Sequence, residues 1–402
     1  MYNSPLKYYA KAILGPKNEM WYFDNWVRKY QKKNKRLILE YSNSLLSDNK
    51  NFMDNKDKEF NELFEVGNSL RNQLFEKYTN LLQSSRIKIL LHLPPIKFSP
   101  AANSWLLNFQ IALSYLGIET DFFWDSLLEE QLDDVNYIIG IGAEYISNKI
   151  NWPLVQKAKI KSNIKVILQT TFDVENHNDA KIFIKDYQNK GVDYFFSFDS
   201  QDFNEQSQLI SLFKQNNTTL FSIEFSANPI IHYPSKFIEP KYDFVFIGSS
   251  NYDKIARYNL YFPKIVKKYN GLIIGTGWKW CNDFSHSAER DSSVYSKSKI
   301  GINIHLETQI KYKRQLNERA YILAAFGIPQ ITDHAAIIDL SFPEIGVVAD
   351  SSKDFLDGID YLLHNKSSAN DIAFKALNAV YSNHNTFLRA SNFVKQLKEL
   401  ES

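Results

Sequence analysis

Short apolar runs alternate with helical patterns through most of this chain, and this alternation restricts its fold more than any other sequence feature. Most of the runs are nearly continuous in apolar residues, so a strand formed from each would be buried on both faces. Buried strands separated by helices are typical of parallel, doubly wound α/β sheets. The predicted strands are 87–93, 120–124, 136–142, 164–171 and 193–198 in a first series, and 242–250, 271–277, 298–306, 328–333 and 345–350 in a second.

A segment with three prolines, residues 227–243, separates the two series and suits an interdomain linker. The pattern predicts two Rossmann-like domains, at 85–235 and 236–402, whose parallel sheets face a central cleft. A helical N-terminal extension at 1–84 precedes them. Ligands of such sheets bind outside the carboxyl ends of the strands. The turns that follow the strands are therefore where a site is expected.

Composition excludes several classes of function. The net charge of the 402 residues is only +2, which gives no electrostatic argument for a nucleic-acid partner. The single cysteine, Cys281, excludes an internal disulfide and a thiolate metal site, and it fits a reducing compartment. No apolar run reaches the roughly 18 residues of a membrane span, and the N-terminus lacks the pattern of a secretory signal. We therefore expect a cytoplasmic protein.

The segment 315–334, QLNERAYILAAFGIPQITDH, has the pattern of an anion-binding site. Asn317 fits a helix N-cap, and a Gly-x-Pro sequence ends the helix. Arg319 lies in the first turn, where the helix dipole disfavours a cation. A bound diphosphate would remove that penalty, because arginine offers a planar fork of donors. Lys313 and Arg314 add positive charge just upstream, although a solvated basic loop has the same composition.

Two glycine-containing turns follow predicted strands in the second series: Gly248-Ser249-Ser250 and Gly275-Thr276-Gly277. Glycine lets backbone N–H groups approach a phosphate closely, and a following helix adds partial positive charge. Neither turn completes a nucleotide-binding motif, and each alone also fits an ordinary turn. The missing glycine fingerprint argues against a dinucleotide-dependent dehydrogenase.

A set of short motifs accompanies the second series of strands. They are Tyr295-Ser296, Asn303, Asn317-Glu318-Arg319-Ala320-Tyr321, Ala325-Phe326-Gly327, Thr332-Asp333, Phe342-Pro343-Glu344-Ile345-Gly346, and HNTFLRA with His384 and Arg389. In this order and spacing they resemble the group 1 C-terminal domain of GT-B glycosyltransferases. The resemblance is greatest to the CgeB-like branch, the spore-maturation-protein type. It spans about residues 242–400, whereas the first series of strands is similar in architecture alone.

The resemblance implies a glycosyltransferase that moves a sugar from a nucleoside-diphosphate sugar to an acceptor hydroxyl, in polysaccharide or glycoconjugate synthesis. The C-terminal domain would bind the donor and the N-terminal domain the acceptor. Such folds normally need no metal, and the nucleotide-sugar is a substrate, so no cofactor is expected. The expected acceptor is a glycan, a lipid-linked molecule or a protein, with no nucleic acid. The candidate donor-binding residues are Gly248, Ser249, Gly275, Thr276, Gly277, Asn303, His305, Lys313, Arg314, Asn317, Glu318, Arg319, Thr332, Asp333 and His334.

One position departs from the family pattern. The helix glutamate with which these enzymes commonly hold the donor ribose falls on Ile322, and Glu318 and Asp333 are the nearest substitutes. Two alternatives therefore stay open. The chain could be a non-catalytic nucleotide- or sugar-binding subunit with a degenerate GT-B fold, or a GT-B-shaped enzyme such as an epimerase.

An inverting transferase would need a general base from the N-terminal domain. The segment after strand 164–171 offers Asp173, Glu175 and His177, and Glu144 follows strand 136–142. For each alone, an exposed carboxylate or a structural histidine is the simpler interpretation. A retaining enzyme requires no such base, and the sequence does not distinguish the two outcomes.

The extension contains a basic and aromatic segment at residues 20–36, with six cations against one aspartate. Tyr22, Trp26 and Tyr30 share one helical face. Such a face suits an anionic membrane surface, where a lipid-linked acceptor would lie. Packing of the same face on the protein is an equal alternative.

Overall fold

The structure, a computed structural model, describes residues 23–33, 35–37, 40, 58–93, 100–124, 127–146, 148, 150–170, 177–200, 204–235, 239–250, 254–278, 288–312 and 314–401. The chain divides into two compact units. We call Asn72–Asn228 together with Asn383–Ser402 the N-terminal unit, and Pro229–Ser382 together with Met1–Arg71 the C-terminal unit.

Each unit is built on a fully parallel sheet. The strands of the N-terminal unit are β1 (Lys88–His92), β2 (Glu119–Phe123), β3 (Tyr137–Gly140), β4 (Lys165–Gln169), β5 (Tyr194–Ser197) and β6 (Leu220–Ser222). Those of the C-terminal unit are β7 (Tyr242–Ile247), β8 (Gly271–Ile274), β9 (Ser298–Asn303), β10 (Gln330–Asp333) and β11 (Val347–Ala349). All residues of β3, β8 and β10 are buried, which explains their continuous apolar patterns. The ten predicted strands are confirmed, and the short β6 is an addition.

Helices connect the strands in both units. They are α1 (Lys58–Tyr78), α2 (Pro100–Tyr115), α3 (Ala143–Ile146), α4 (Trp152–Ser162), α5 (His177–Lys190), α6 (Asn204–Gln215), α7 (Ile255–Lys268), α8 (Ala288–Ser296), α9 (Glu307–Tyr312), α10 (Glu318–Ala325), α11 (Ile337–Ser341), α12 (Ser352–His364), α13 (Lys366–Asn383) and α14 (Thr386–Glu401). Single 3-10 turns occupy Gln83–Ser85 and Glu129–Leu132. A further helical segment covers residues 23–33. Of the helices described, none combines the length and hydropathy that a membrane crossing needs.

The two sheets share one topology. The strand orders are β2-β1-β3-β4-β5-β6 and β11-β10-β9-β7-β8. In each, the first strand lies inside the sheet, the second pairs on one side of it, and the third pairs on the other. The connections therefore reverse direction between β1 and β3, and between β7 and β9. Crevices at such reversal points are where open α/β sheets bind their ligands.

The last helix, α14, packs in the N-terminal unit. The ring of Phe393 lies 5.7 Å from that of Phe109 and 5.2 Å from that of Phe221, and Phe387 stacks on Tyr115 at 5.0 Å. The sequence interpretation assigned residues 236–402 to a single domain, so the structure differs from it at this helix. An amphipathic pattern shows that a helix is packed, but it does not identify the sheet on which the helix packs.

The aromatic face of segment 23–33 is buried in the C-terminal unit. Phe23, Trp26 and Val27 are 7%, 4% and 1% exposed. The indole N–H of Trp26 donates to Asn259 Oδ1 at 2.8 Å, and Lys33 Nζ donates to two carbonyl oxygens at the end of α7. Of the two expectations for this segment, packing on the protein is the one that the structure shows. Phe23 and Trp26 are therefore not available to a membrane surface, whereas Tyr30 is half-buried and Tyr22 lies outside the described residues. Membrane contact through residues 20–36 stays a prediction.

Candidate functional site

The candidate site lies at the reversal point of the C-terminal sheet, where β7 and β9 end side by side. Val245 of β7 pairs with Gly301 of β9, so the turn after Ile247 and the residues after Asn303 meet at the same edge. Helix α10 begins at this edge, and its N-cap Asn317 accepts a hydrogen bond from Ala320 N at 3.2 Å. The amide of Asn317 also donates to Ile304 O at 3.2 Å. The predicted cap is therefore present, and it ties the helix start to the end of β9.

Arg319 is fixed across this reversal point. Its Nε donates to Ile247 O at 2.7 Å, and its Nη1 donates to Asn303 Oδ1 at 3.2 Å. The guanidinium also lies over the Phe246 ring, 4.2 Å from the centroid. Gly248 makes this position accessible, because a Cβ at residue 248 would collide with Nη2. The side chain is therefore held by both strands at once.

Among the described residues, no carboxylate neutralises the charge of Arg319. No ion pair in the described part of the chain includes Arg319, and the hydrogen bonds described for it use Nε and Nη1 but not Nη2. Carbonyl and amide oxygens orient the guanidinium without cancelling its charge. A half-buried cation with one unused edge, at a helix start, is suited to an anionic ligand.

Asp333 forms a second, buried group at the same edge, at the end of β10. One carboxylate oxygen accepts from the backbone N of His305 at 2.9 Å and lies 2.8 Å from its Nδ1. The other oxygen accepts from Arg257 Nη2 at 2.5 Å. Burial alone would raise the pKa of Asp333, but the hydrogen bonds from His305 and Arg257 and the charge of Arg257 lower it below the ordinary value. The carboxylate is therefore ionised and fully engaged.

Arg257 is a residue of this group that sequence reasoning missed. It lies in the first turn of α7, and Glu307 is 3.7 Å away on its other side. Burial disfavours its charge, but Asp333 more than compensates, so the pKa of Arg257 is raised. The available signal was the one used for Arg319, a cation in the first turn of a helix that follows a strand.

The glycines of the two turns are explained by the backbone. Gly275 has φ +139°, and a Cβ there would overlap Gly248 O. Gly248 N donates to Ile274 O at 2.8 Å, and Ser250 N donates to Thr276 O at 2.9 Å. The turns after β7 and β8 therefore hold each other. Ser249 accepts from Lys254 Nζ through its hydroxyl, at 2.7 Å. A phosphate contact of these turns, including Gly277 with φ +86°, stays a prediction.

Several other predicted donor-binding side chains have protein partners. Thr332 accepts from the Asn303 amide at 3.2 Å, so both are supporting residues. His334 lies 2.6 Å from Asp350 and 3.3 Å from Asp339. Burial lowers the pKa of His334, but the two carboxylates raise it above the ordinary value. Arg314 is buried, at 5% exposure.

Lys313, Glu318 and Ile322 lie just before α10 or within it, and the structure gives each a different surrounding or none. Lys313 lies outside the described residues. Glu318 is half-buried in the first turn of α10. Ile322 packs against the hydrophobic core of the C-terminal unit. The position of the family's ribose-binding glutamate is therefore part of the core here.

The predicted bases in the N-terminal unit have no described side-chain geometry. Asp173 and Glu175 lie outside the described residues. Glu144 belongs to α3 and His177 begins α5, and only their backbones are described. Their roles stay predictions. In the described residues, no group of three His, Cys, Asp or Glu side chains is placed to hold a metal.

A cavity of about 370 Å³ in the C-terminal unit lies away from this edge. Its lining includes Ser298, at the start of β9, and Pro329, just before β10, together with Leu63 of α1. It therefore opens at the amino ends of the strands. Because ligands of doubly wound sheets bind at the carboxyl ends, this cavity is not the candidate site.

Comparisons with known proteins agree with this fold. Residues 257–395 match the family model described as glycosyl transferase-like. A sucrose-phosphate synthase from Thermosynechococcus elongatus superposes with a TM-score of 0.53 at 12% identity, covering 78% of this chain and 99% of that one. An α-glucosyltransferase solved with UDP and mismatched DNA superposes with a TM-score of 0.54 at 12% identity, with the same coverage. No curated protein matches the chain in sequence.

The fold prediction is confirmed by these comparisons. The chain has two parallel-sheet α/β domains and a helical N-terminal region, and GT-B glycosyltransferases are among its structural neighbours. The family match supports the glycosyltransferase-like character of residues 257–395. The CgeB-like branch stays a prediction.

Proposed function

We propose that this protein is a glycosyltransferase that moves a sugar from a nucleoside-diphosphate sugar to an acceptor hydroxyl. The observation that carries the proposal is Arg319, a cation that pairs with no carboxylate of the described residues and is fixed at the reversal point of the C-terminal sheet. The family match and the GT-B-like fold support the same class of enzyme. We further propose that the reaction takes place in the cytoplasm, in glycan or glycoconjugate synthesis.

In this proposal Arg319 binds the diphosphate and stabilises its developing charge. When the bond from the sugar to the diphosphate breaks, negative charge increases on the leaving group. A preoriented cation and helix N–H groups stabilise that charge more strongly than they stabilise the bound substrate. Because the guanidinium supplies positive charge at this point, we propose that transfer requires no metal ion.

The acceptor is proposed to be a glycan, a lipid-linked molecule or a protein. The α-glucosyltransferase with a similar fold was solved with DNA. In this chain the net charge of +2 gives no comparable support for a nucleic-acid acceptor.

The first test is calorimetric titration of the full chain with UDP, GDP, CDP, ADP and phosphate, with and without a chelator. We expect one nucleoside diphosphate to bind, to be unaffected by chelator, and to bind at least tenfold more weakly to Arg319→Gln. Lys267→Ala, on the exposed side of α7, is the matched control and should bind as the wild type does. Failure of every nucleotide to bind the folded wild type would overturn the proposal.

A non-catalytic binding subunit is the second candidate, and Ile322 is the observation that favours it. Isoleucine has no carboxylate to hold the ribose, and this partly buried side chain packs against the core instead. Release of nucleotide from a bound nucleotide-sugar separates the candidates. Release that depends on an acceptor supports transfer, release without an acceptor and with a changed sugar supports an epimerase, and binding without turnover across a panel of acceptors supports the subunit.

A further inference from the structure

His305 contains a buried nitrogen without a described partner, next to the position of Arg319. The imidazole is 1% exposed, and its Nδ1 lies 2.8 Å from Asp333. The other nitrogen, Nε2, is buried and makes no hydrogen bond to any described residue. A buried polar atom without a partner destabilises the fold. A ligand group that meets it would remove that penalty.

The partners of Asp333 determine which imidazole nitrogen carries the proton. The carboxylate is ionised and only accepts hydrogen bonds, so Nδ1 is the donor in this pair. Arg257 already balances the charge of Asp333. Glu307, the other carboxylate near Arg257, is mostly exposed, so the buried part of this group contains one anion, Asp333, and one cation, Arg257. In the neutral imidazole Nδ1 then carries the proton, and Nε2 is a hydrogen-bond acceptor.

An acceptor at this place selects the chemistry of its ligand. A phosphate oxygen carries lone pairs and no proton, so it would be repelled by Nε2, whereas a hydroxyl can donate to it. His305 follows Ile304, whose carbonyl oxygen accepts from Asn317 and lies 3.5 Å from Arg319 Nη1. A group that reaches His305 is therefore expected at the same edge of the sheet as the anion bound by Arg319. In a nucleotide-sugar the hydroxyls of the ribose and of the sugar flank the diphosphate.

We propose that His305 Nε2 accepts a hydrogen bond from a hydroxyl of the donor, and that Asp333 and Arg257 are positioning residues that hold the imidazole in this form. This inference rests on the proposed function and adds a division of roles within its site. Arg319 binds the diphosphate, and His305 binds a neighbouring hydroxyl. Asp333 does not replace the missing ribose-binding glutamate directly, because both of its oxygens are engaged, and acts through His305 instead.

The first test is the protonation form of His305 in the full chain without ligand. Two-bond ¹H–¹⁵N correlation spectra of histidine-labelled protein distinguish the two neutral forms and the cation, and His305→Gln assigns the signal. We expect Nδ1 to carry the proton and Nε2 to carry none. A proton on Nε2, in either the other neutral form or the cation, would overturn the assignment.

The second test is titration of His305→Asn with UDP, UDP-glucose and pyrophosphate, with GDP and GDP-mannose in parallel. The asparagine amide can replace Nδ1 toward Asp333 but has no group at the position of Nε2. We expect pyrophosphate to bind as it does to the wild type. If the hydroxyl is on the ribose, UDP and UDP-glucose should both bind about 3- to 10-fold more weakly than they bind the wild type. If the hydroxyl is on the sugar, only UDP-glucose should bind more weakly.

The remaining outcomes separate this inference from the proposed function. A wild type that binds a nucleotide, with His305→Asn unchanged for all ligands, would show that Nε2 meets only a buried water and would overturn the role of His305. An equal loss for pyrophosphate would also overturn it, since the residue would then act on the phosphates or on the fold. A wild type that binds no nucleotide overturns the proposed function itself, and the donor contact with it.

Discussion

At the scale of single residues, two arginines illustrate how similar sequence positions acquire different roles. Arg257 and Arg319 each lie in the first turn of a helix, where the dipole disfavours a cation. Arg257 is neutralised by the buried Asp333, whereas the hydrogen bonds of Arg319 within the described part of the chain go to uncharged oxygens. The first arginine is therefore part of the protein's internal charge balance. The second retains an unpaired charge at the edge where a ligand would bind.

This difference predicts that substitution of Arg257 mainly lowers stability, whereas the same substitution of Arg319 mainly removes nucleotide binding. Arg257→Met should lower the free energy of unfolding by about 3–5 kcal/mol, because it leaves a buried carboxylate without its cation. Arg319→Met should cost only about 1–2 kcal/mol, since it removes hydrogen bonds to uncharged acceptors. Nucleotide binding should be lost in the Arg319 variant. Urea unfolding and calorimetric titration measure the two effects, and equal destabilisation by both substitutions would contradict the distinction.

At the scale of elements, segment 23–33 shows a helix whose apolar face belongs to the protein interior. Trp26 lies between Phe23 and Phe262, with ring distances of 5.3 Å and 6.1 Å. Lys33 donates to Val266 O, in the last turn of α7, and to Tyr269 O, in the residue that follows this helix. The helix therefore both covers the aromatic core and satisfies a helix end.

Trp26→Ala should destabilise the C-terminal unit by about 3–5 kcal/mol, because it removes a buried aromatic side chain. Binding to vesicles of anionic lipid should not change, since the ring is not available to a membrane. Thermal unfolding and vesicle sedimentation test the two statements. Lys29→Ala serves as the control, because Lys29 is an exposed cation of the same segment. Loss of vesicle binding with unchanged stability would instead favour the membrane role.

Local patterns predicted the elements well and the contacts between distant elements poorly. The strands and the N-cap at Asn317 depend on residues that are neighbours in the sequence, so they could be predicted from it. The pairing of Arg257 with Asp333 joins residues 76 positions apart. Nothing near either residue specifies that partner. The sequence also could not predict what covers Trp26, because the same aromatic helix face can pack on a membrane or on a protein core.

At the scale of the whole molecule, the return of the chain into the N-terminal unit creates a second, partly buried ionic group. Arg389, in α14, pairs with Glu224 at 2.9 Å, and its Nη2 lies 3.2 Å from His384 Nδ1. Both pairs lie within the N-terminal unit. Burial, and next the charge of Arg389, lower the pKa of His384 to about 4. The histidine is therefore neutral in the folded protein.

This shift predicts a dependence of stability on pH. Between the ordinary value of 6.5 and about 4, the unfolded chain binds a proton at His384 that the folded chain does not. The stability contributed by neutral His384 is present above pH 6.5 and is lost as pH falls toward 4, by up to about 3 kcal/mol. Unfolding between pH 7 and pH 4.5 should show a smaller loss in His384→Asn, which does not titrate. An unchanged slope in that variant would contradict the assignment, and the exposed His364→Gln serves as the control.

The position of α14 also has a consequence for the order of folding during synthesis. The sheet of the N-terminal unit is translated early, but the helix whose Phe387 and Phe393 fill its core is the last part of this sequence to be made. About 155 residues separate Asn228 from Asn383, so the ribosome must add the rest of the C-terminal unit before the core beside the first sheet can be completed. A growing chain therefore carries an unfinished core through most of its translation. Neither unit corresponds to one continuous stretch of the gene that could be exchanged or inherited alone.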